Sequence, residues 1–283
     1  MLVNTKQLQN ALKNLDSIIL NKPQLVILGG VKLKVEGQEL ILTTSDLKNT
    51  VNVTLEIESG EIEDIVALGV KDILKSIKFF KFHNTRIFIE DSVVKFENGS
   101  KTIISHTMPA AEFPKGLNME VVEHSYMYNE CDLYNRLKTV DYAKSKEDTR
   151  PFLKGIYFND SDIVAVDGYR VVVDSNADLS VEKPFIINPE AVKSILKVLN
   201  RKLTDLKVKI KTSENIASFK FGNTEITSSL LKGDYFRYKD LINGDNTSID
   251  LNKKEFEDNI KFLHVYSAGT KHNLLELMLE RGK

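Results

Sequence analysis

The chain has 283 residues, 42 % hydrophobic and 28 % charged, with a formal net charge of −1. This is the balance of an ordinary globular protein with room for two or more domains, and it excludes a disordered, fibrous or polycationic chain. Any affinity for nucleic acid must come from where the charges sit. The lone cysteine, Cys131, excludes an internal disulfide framework and a cysteine-based zinc site. No apolar run is long enough to cross a bilayer, and the first residues lack the basic-then-apolar layout of a signal peptide, so a cytoplasmic location without a membrane partner is expected.

The first predicted helix opens at Asn4, a residue type whose side-chain oxygen caps helix amides, and carries Leu8 and Leu12 on its buried face. Alternating apolar and polar residues then predict strands over 31–35, 39–44 and 50–57. A helix follows over 70–77, with Lys71, Lys75 and Lys78 on one side. Three further strands come at 86–90, 93–97 and 101–107.

The series then restarts. Asn129, Leu133 and Leu137 repeat the first helix opening at an offset of 125 residues. Strands are expected at 153–158, 162–166 and 169–174. A second lysine helix begins at Val192, offset by 122 from Val70, and carries Lys193, Lys197 and Arg201. Strands at 207–211, 216–221 and 225–229 complete the second unit. Asp46 aligns with Asp167, Gly99 with Gly222 and Phe113 with Phe236. A third opening, Asn252, Phe256 and Ile260, leads a helix to about Tyr266 and one strand over 273–279.

The expected fold class is therefore α+β, in tandem repeated domains of two helices packed on antiparallel sheets. The expected boundaries are 1–118, 119–245 and an incomplete 246–283. Two lysine stripes at matched positions suit a repeated anion, because lysine neutralises phosphate without reading bases.

Five segments in order carry a family resemblance: 40–47 (LILTTSDL), 108–114 (MPAAEFP), 148–155 (DTRPFLKG), 164–170 (VAVDGYR) and 227–235 (TSSLLKGDY). On these the chain resembles the beta subunit of bacterial DNA polymerase III, the sliding clamp, with a third domain that is cut short. The resemblance implies the DNA clamp fold and a non-catalytic processivity factor in DNA replication. In the family, two three-domain protomers form a ring around duplex DNA, with helices on the inner wall and sheets outside.

For this chain it implies DNA contacts from Lys22, Lys71, Lys75, Lys78, Arg150, Lys193, Lys197 and Arg201, with Lys6, Lys13, Arg136, Lys138 and Lys144 contributing from the first helix of each unit. It also implies a partner-peptide groove walled by Leu153, Gly168, Tyr169, Arg170, Val171, Phe236 and Leu241. Through short motifs that groove would take the polymerase catalytic subunit, the clamp loader and repair proteins. Phe236 stands where the family usually has proline, and Asp240 where it often has a basic residue. A chain without most of its third domain is expected not to close the homodimeric ring. The alternative is a truncated clamp-like module that binds partner peptides without encircling DNA.

Catalysis, metal and cofactor are not expected. Asp46 and Asp167 occupy equivalent turns in different units, and the five histidines form no i, i+4 metal pair. Gly29-Gly30 lacks the helix that a phosphate loop needs. Asp167-Gly168 between apolar runs is also a plain hairpin signal.

Overall fold

The structure, a computed structural model, describes residues 1–20, 22–58, 60, 62–199, 206–242 and 250–267. It divides into two compact units, Met1–Phe236 and Arg237–Lys283. The first holds two repeats.

Repeat one contains helices α1 (Thr5–Leu15) and α2 (Val70–Ile77). Its strands are β1 (Leu2–Asn4), β2 (Val31–Glu36), β3 (Glu39–Ser45), β4 (Asn49–Glu56), β5 (Ile65–Ala67), β6 (Asn84–Glu90), β7 (Val93–Asn98) and β8 (Lys101–Pro109). Repeat two contains α3 (Glu130–Asp141) and α4 (Pro189–Val198). Its strands are β9 (His124–Asn129), β10 (Ile156–Asp160), β11 (Asp162–Val166), β12 (Val171–Ser175), β13 (Val181–Ile187), β14 (Lys207–Thr212), β15 (Ile216–Phe221) and β16 (Thr224–Ser229). The second unit holds α5 (Tyr238–Ile242) and α6 (Lys253–Ser267).

Asparagine caps start α1, α3 and α6. Asn4 Oδ1 accepts from Lys6 N and Gln7 N, Asn129 Oδ1 from Cys131 N and Asp132 N, and Asn252 Oδ1 from Glu255 N at 3.1 Å. Each satisfies amides that the helix leaves unpaired. Leu8, Leu12 and Leu15 of α1, Leu133, Leu137 and Val140 of α3, and Val192 and Ile195 of α4 are then buried in one apolar core that includes residues of both repeats.

All strand pairings among the described residues are antiparallel. One sheet runs β1-β6-β7-β8-β5-β2-β3-β4-β16-β15-β14-β9, and a smaller one runs β12-β11-β10-β13. The larger sheet crosses the repeat boundary at β4–β16, where Thr224 faces Val53 and Ser228 faces Asn49. Beside this seam Asn188 does two jobs. Its Oδ1 caps α4 by accepting from Ala191 N at 2.8 Å, and its Nδ2 donates to Asn49 Oδ1 at 3.0 Å and Ser228 Oγ at 2.9 Å. All three side chains are buried. The Ser17 and Ser194 hydroxyls hydrogen-bond across the same junction.

The repeats agree in detail. In the β3–β4 hairpin, Asp46 Oδ1 accepts from Lys48 N and Asn49 N, and Leu47 has φ +76°. In the β11–β12 hairpin, Asp167 Oδ1 accepts from Tyr169 N and Arg170 N, and Gly168 has φ +92°. A two-residue hairpin with positive φ at its first loop position is what the strand twist favours. Both aspartates are thus tied into turns.

Two expected strands start later than their spacing suggests. Residues 153–154 belong to a 3-10 turn, Pro151–Lys154, so that strand starts at Ile156. Residues 169–170 lie in the hairpin turn, so β12 starts at Val171. β1, β5, β9 and β13 were not expected. The strand expected over 273–279 and the residue Arg201 lie outside the described residues.

Candidate nucleic-acid interface

Helices α2 and α4 bury Val70, Ile73 and Ile77, and Ala191, Val192 and Ile195, which turns their lysines outward. Lys75, Lys78, Lys193 and Lys197 are exposed, and Lys71 is half-buried. Lysines from both repeats meet in one place. A depression of about 450 Å³ is lined by Lys71 from α2 and by Lys193 and Lys197 from α4. Asp16, Asp46 and Glu190 line it too, over a floor of Ser17, Ile18 and Ile19. Lys197 Nζ lies 4.0 Å from Asp16 Oδ2. The cleft therefore carries three cations against three carboxylates, which is milder than the stripes alone suggest.

The other sequence candidates are more dispersed. Lys75 Nζ is 2.8 Å from Asp72 Oδ1, and Lys78 lies over the Phe79 ring at 5.1 Å. Lys22 is exposed in the segment after α1, and Arg150 is exposed just ahead of the 3-10 turn. Lys6, Lys13 and Lys138 are exposed, while Lys144 pairs with Asp141. Arg136 corrects the sequence reading. It is buried, with Nε donating to Asp174 Oδ1 at 2.5 Å and Nη2 to Ser161 O at 2.7 Å. It holds α3 against the β11–β12 hairpin and cannot reach a phosphate.

The groove candidates of the first unit gather around the smaller sheet. Leu153 is buried in the 3-10 turn ahead of β10, and Gly168, Tyr169 and Arg170 form the tip of β11–β12. Tyr169 is 96 % exposed. Burial pushes the Asp167 carboxyl up, but hydrogen bonds from Tyr169 N, Arg170 Nε and Arg170 N outweigh it and hold the group below the usual carboxylate range. Arg170 also lies over the Tyr142 ring at 5.4 Å. Val171 begins β12, half-buried. Phe236 is partly exposed at the end of the unit, and Leu241 is exposed on α5 of the second unit.

Two family models match this chain: the DNA polymerase III beta subunit N-terminal domain over residues 1–119, and its central domain over 129–236. The chain belongs to the DNA polymerase III beta subunit family. A beta sliding clamp from Halalkalibacterium halodurans is 24 % identical over 271 residues, covering 89 % of this chain and 70 % of that protein. Among solved structures, a DNA polymerase III beta subunit from Eubacterium rectale superimposes with a TM-score of 0.85 at 16 % identity, covering 95 % of this chain and 75 % of the other. A sliding clamp from Pseudomonas aeruginosa, bound to griselimycin, gives 0.81 at 18 % identity, with 94 % and 73 % covered. The fold is the DNA clamp fold.

Sequence reasoning missed the aromatic cluster beside the groove candidates. Tyr235 stacks on Tyr157 with ring centroids 4.3 Å apart, meets Phe152 at 6.5 Å, and donates its hydroxyl to Val164 O at 3.3 Å. Gly233 sits so close to the Phe152 ring that a Cβ there would approach it to 2.6 Å. Together these fasten the segment after β16 to the smaller sheet. The 227–235 motif that carried the resemblance ends on Tyr235, and that was the available signal.

Proposed function

We propose that this chain is a DNA sliding clamp subunit, a processivity factor that encircles duplex DNA and tethers the replicative polymerase, the clamp loader and repair proteins without catalysing a reaction. The supporting observation is the meeting of Lys71, Lys193 and Lys197, from two repeats, in one cleft. Residues 1–118 and 119–245 act as two clamp domains, and 246–283 begins a third. Lys22, Lys75, Lys78, Arg150 and Arg201 add to the DNA-facing side.

Partner peptides bind at Leu153, Gly168, Tyr169, Arg170, Val171 and Phe236 of the first unit. The griselimycin-bound relative supports a ligand groove in clamps of this fold. Cytoplasmic action on DNA agrees with the absence, among the described residues, of any helix long and apolar enough to cross a membrane. Lysine contacts that read no bases, set against nearby carboxylates, keep affinity low enough for sliding.

The test is duplex binding across a salt series. Every phosphate that a substitution leaves without its cation reduces the log–log slope by roughly 0.9, so Lys193→Ala with Lys197→Ala should lower it by about 1.8 equally on unrelated sequences. An unchanged slope would remove α4 from the interface. Retention on nicked circular DNA that survives high salt and disappears on linearisation is the expected sign of encirclement; equal dissociation from circles and linear duplex would refute it.

A further inference from the structure

The two repeats differ in charge on one face of their matching hairpins. At an offset of 123 residues, β14–β15 of repeat two matches β6–β7 of repeat one: Ile210 faces Phe219 as Ile87 faces Phe96. The next pair along in repeat one is Arg86 opposite Glu97, opposite charges 3.9 Å apart. The same position in repeat two holds Lys209 opposite Lys220. Like charges set directly across two strands repel, so this pair works against the hairpin that carries it.

Two more lysines extend the patch. Val208, Ile210 and Phe219 are buried in the core, so strand alternation turns Lys207, Lys209, Lys211 and Lys220 to the other face of the sheet. Lys207, Lys209 and Lys220 are exposed and Lys211 is half-buried. None of the four is ion-paired with a described residue. The carboxylates around them do not neutralise the pair. Glu225 stands opposite Lys220 on β16, but its Oε1 accepts from the Ser218 hydroxyl. Glu123 accepts from Lys183 at 3.0 Å, and Glu120 and Glu214 are exposed.

The patch is narrow. On one side runs the segment that joins the repeats, with Leu117 N donating to Thr50 Oγ1 at 3.3 Å and Glu123 N to Thr212 O at 2.9 Å. Beyond Lys220, a depression of about 430 Å³ gathers Glu39, Glu56 and Glu225. A DNA duplex is wide enough to set its phosphates against those carboxylates. A single strand would want rings on which to stack its bases. The residues facing Lys209 and Lys211 on β9 are instead Met127 and Ser125, and no exposed aromatic ring lies on this face among the described residues.

We infer that this face docks an acidic peptide segment of a partner protein, in extended conformation, whose carboxylates lie among Lys207, Lys209, Lys211 and Lys220. Alternate residues of an extended chain are about 6.8 Å apart, the same interval at which Lys207, Lys209 and Lys211 follow one another along β14. A carboxylate seated between Lys209 and Lys220 supplies what Glu97 provides within repeat one. The site uses none of the α2 and α4 lysines, so it and DNA binding can fail separately.

The probe is a fluorescein-labelled peptide of alternating glutamate and serine, about eight residues long, titrated with the full chain at low salt and read by fluorescence anisotropy. It should bind, lose affinity as salt rises, and fail to bind when its glutamates are replaced by glutamine. Lys220→Glu copies the Arg86–Glu97 arrangement, so it should weaken binding roughly fivefold or more while the melting temperature holds or rises. Lys209→Ala should weaken binding as well, and Lys193→Ala with Lys197→Ala should leave it unchanged. No binding by the parent chain, equal binding by parent and Lys220→Glu, or loss with the α4 substitutions would overturn the inference. So would an oligothymidylate that binds more tightly than the peptide and is released by Lys220→Glu, which would assign the face to nucleic acid.

Discussion

Replacing Asn188 by alanine strips two functions from one buried side chain. The helix cap on Ala191 N disappears, which costs about 1 kcal/mol, and the acceptors Asn49 Oδ1 and Ser228 Oγ are left without their donor in a site without solvent, which costs about 1–3 kcal/mol more. The expected total is about 2–4 kcal/mol. Two companions separate the contributions. Asn188→Ser keeps a capping oxygen but cannot span to Asn49, so it should fall between alanine and the original. Asn188→Asp keeps the cap yet sets a carboxylate against the oxygens of Asn49 and Ser229, so it should destabilise at least as much as alanine. Urea unfolding followed by circular dichroism reads the order directly: with a slope of about 2–3 kcal/mol per molar, the alanine midpoint should drop by about 1 M. An alanine variant within about 0.5 kcal/mol of the parent, or an aspartate variant equal to it, would refute the claim that this residue ties the repeats together.

Burial pushes the Tyr128 phenol up to about 12, and its hydroxyl lacks a hydrogen-bond partner among the described residues. A phenol raised in the folded state favours folding below about pH 10 and loses that contribution as pH climbs toward about 12. Because the buried hydroxyl lacks a partner among the described residues, Tyr128→Phe should stabilise the chain near neutrality by about 1 kcal/mol, and with no phenol to titrate it should also flatten the alkaline limb of a stability–pH curve. Asp167 works in the opposite sense: its lowered carboxyl contributes stability above the unfolded value and loses it as acid protonates the folded group. Asp167→Asn should remove that acid-side dependence, visible as a flatter low-pH melting profile. Gly168→Ala, which forces a Cβ onto φ +92°, should cost about 1–2 kcal/mol in thermal melts although no neighbour crowds the position.

Features whose chemistry is local were legible before any coordinates. The asparagine caps at positions 4, 129 and 252 need only the next few amides, and the Asp46 and Asp167 turns close within four residues. Strand β13 was hidden because Pro184 interrupts it, and proline argues against a strand. It is tolerated there because β13 is an edge strand, paired only with β10 among the described strands and with an irregular register. Strand β5 is three residues long, too short for any period to show. At the candidate interface the lysine spacing was readable, but the carboxylates that temper it were not, since Asp16, Asp46 and Glu190 arrive from three separate segments. Arg136 failed for the same reason: its partners Ser161 and Asp174 lie 25 and 38 residues away.

A join stitched from main-chain amides and carbonyls is largely indifferent to the side chains flanking it. At β4–β16 the backbone supplies the ladder bonds, so outside the buried Asn49, Asn188 and Ser228 side chains amino-acid identity there can drift while the pairing stays put. This chain keeps 16 % of a relative's residues and still superimposes on it at 0.85. Evolution is left free to rewrite the surface of such a scaffold without re-engineering its hinges.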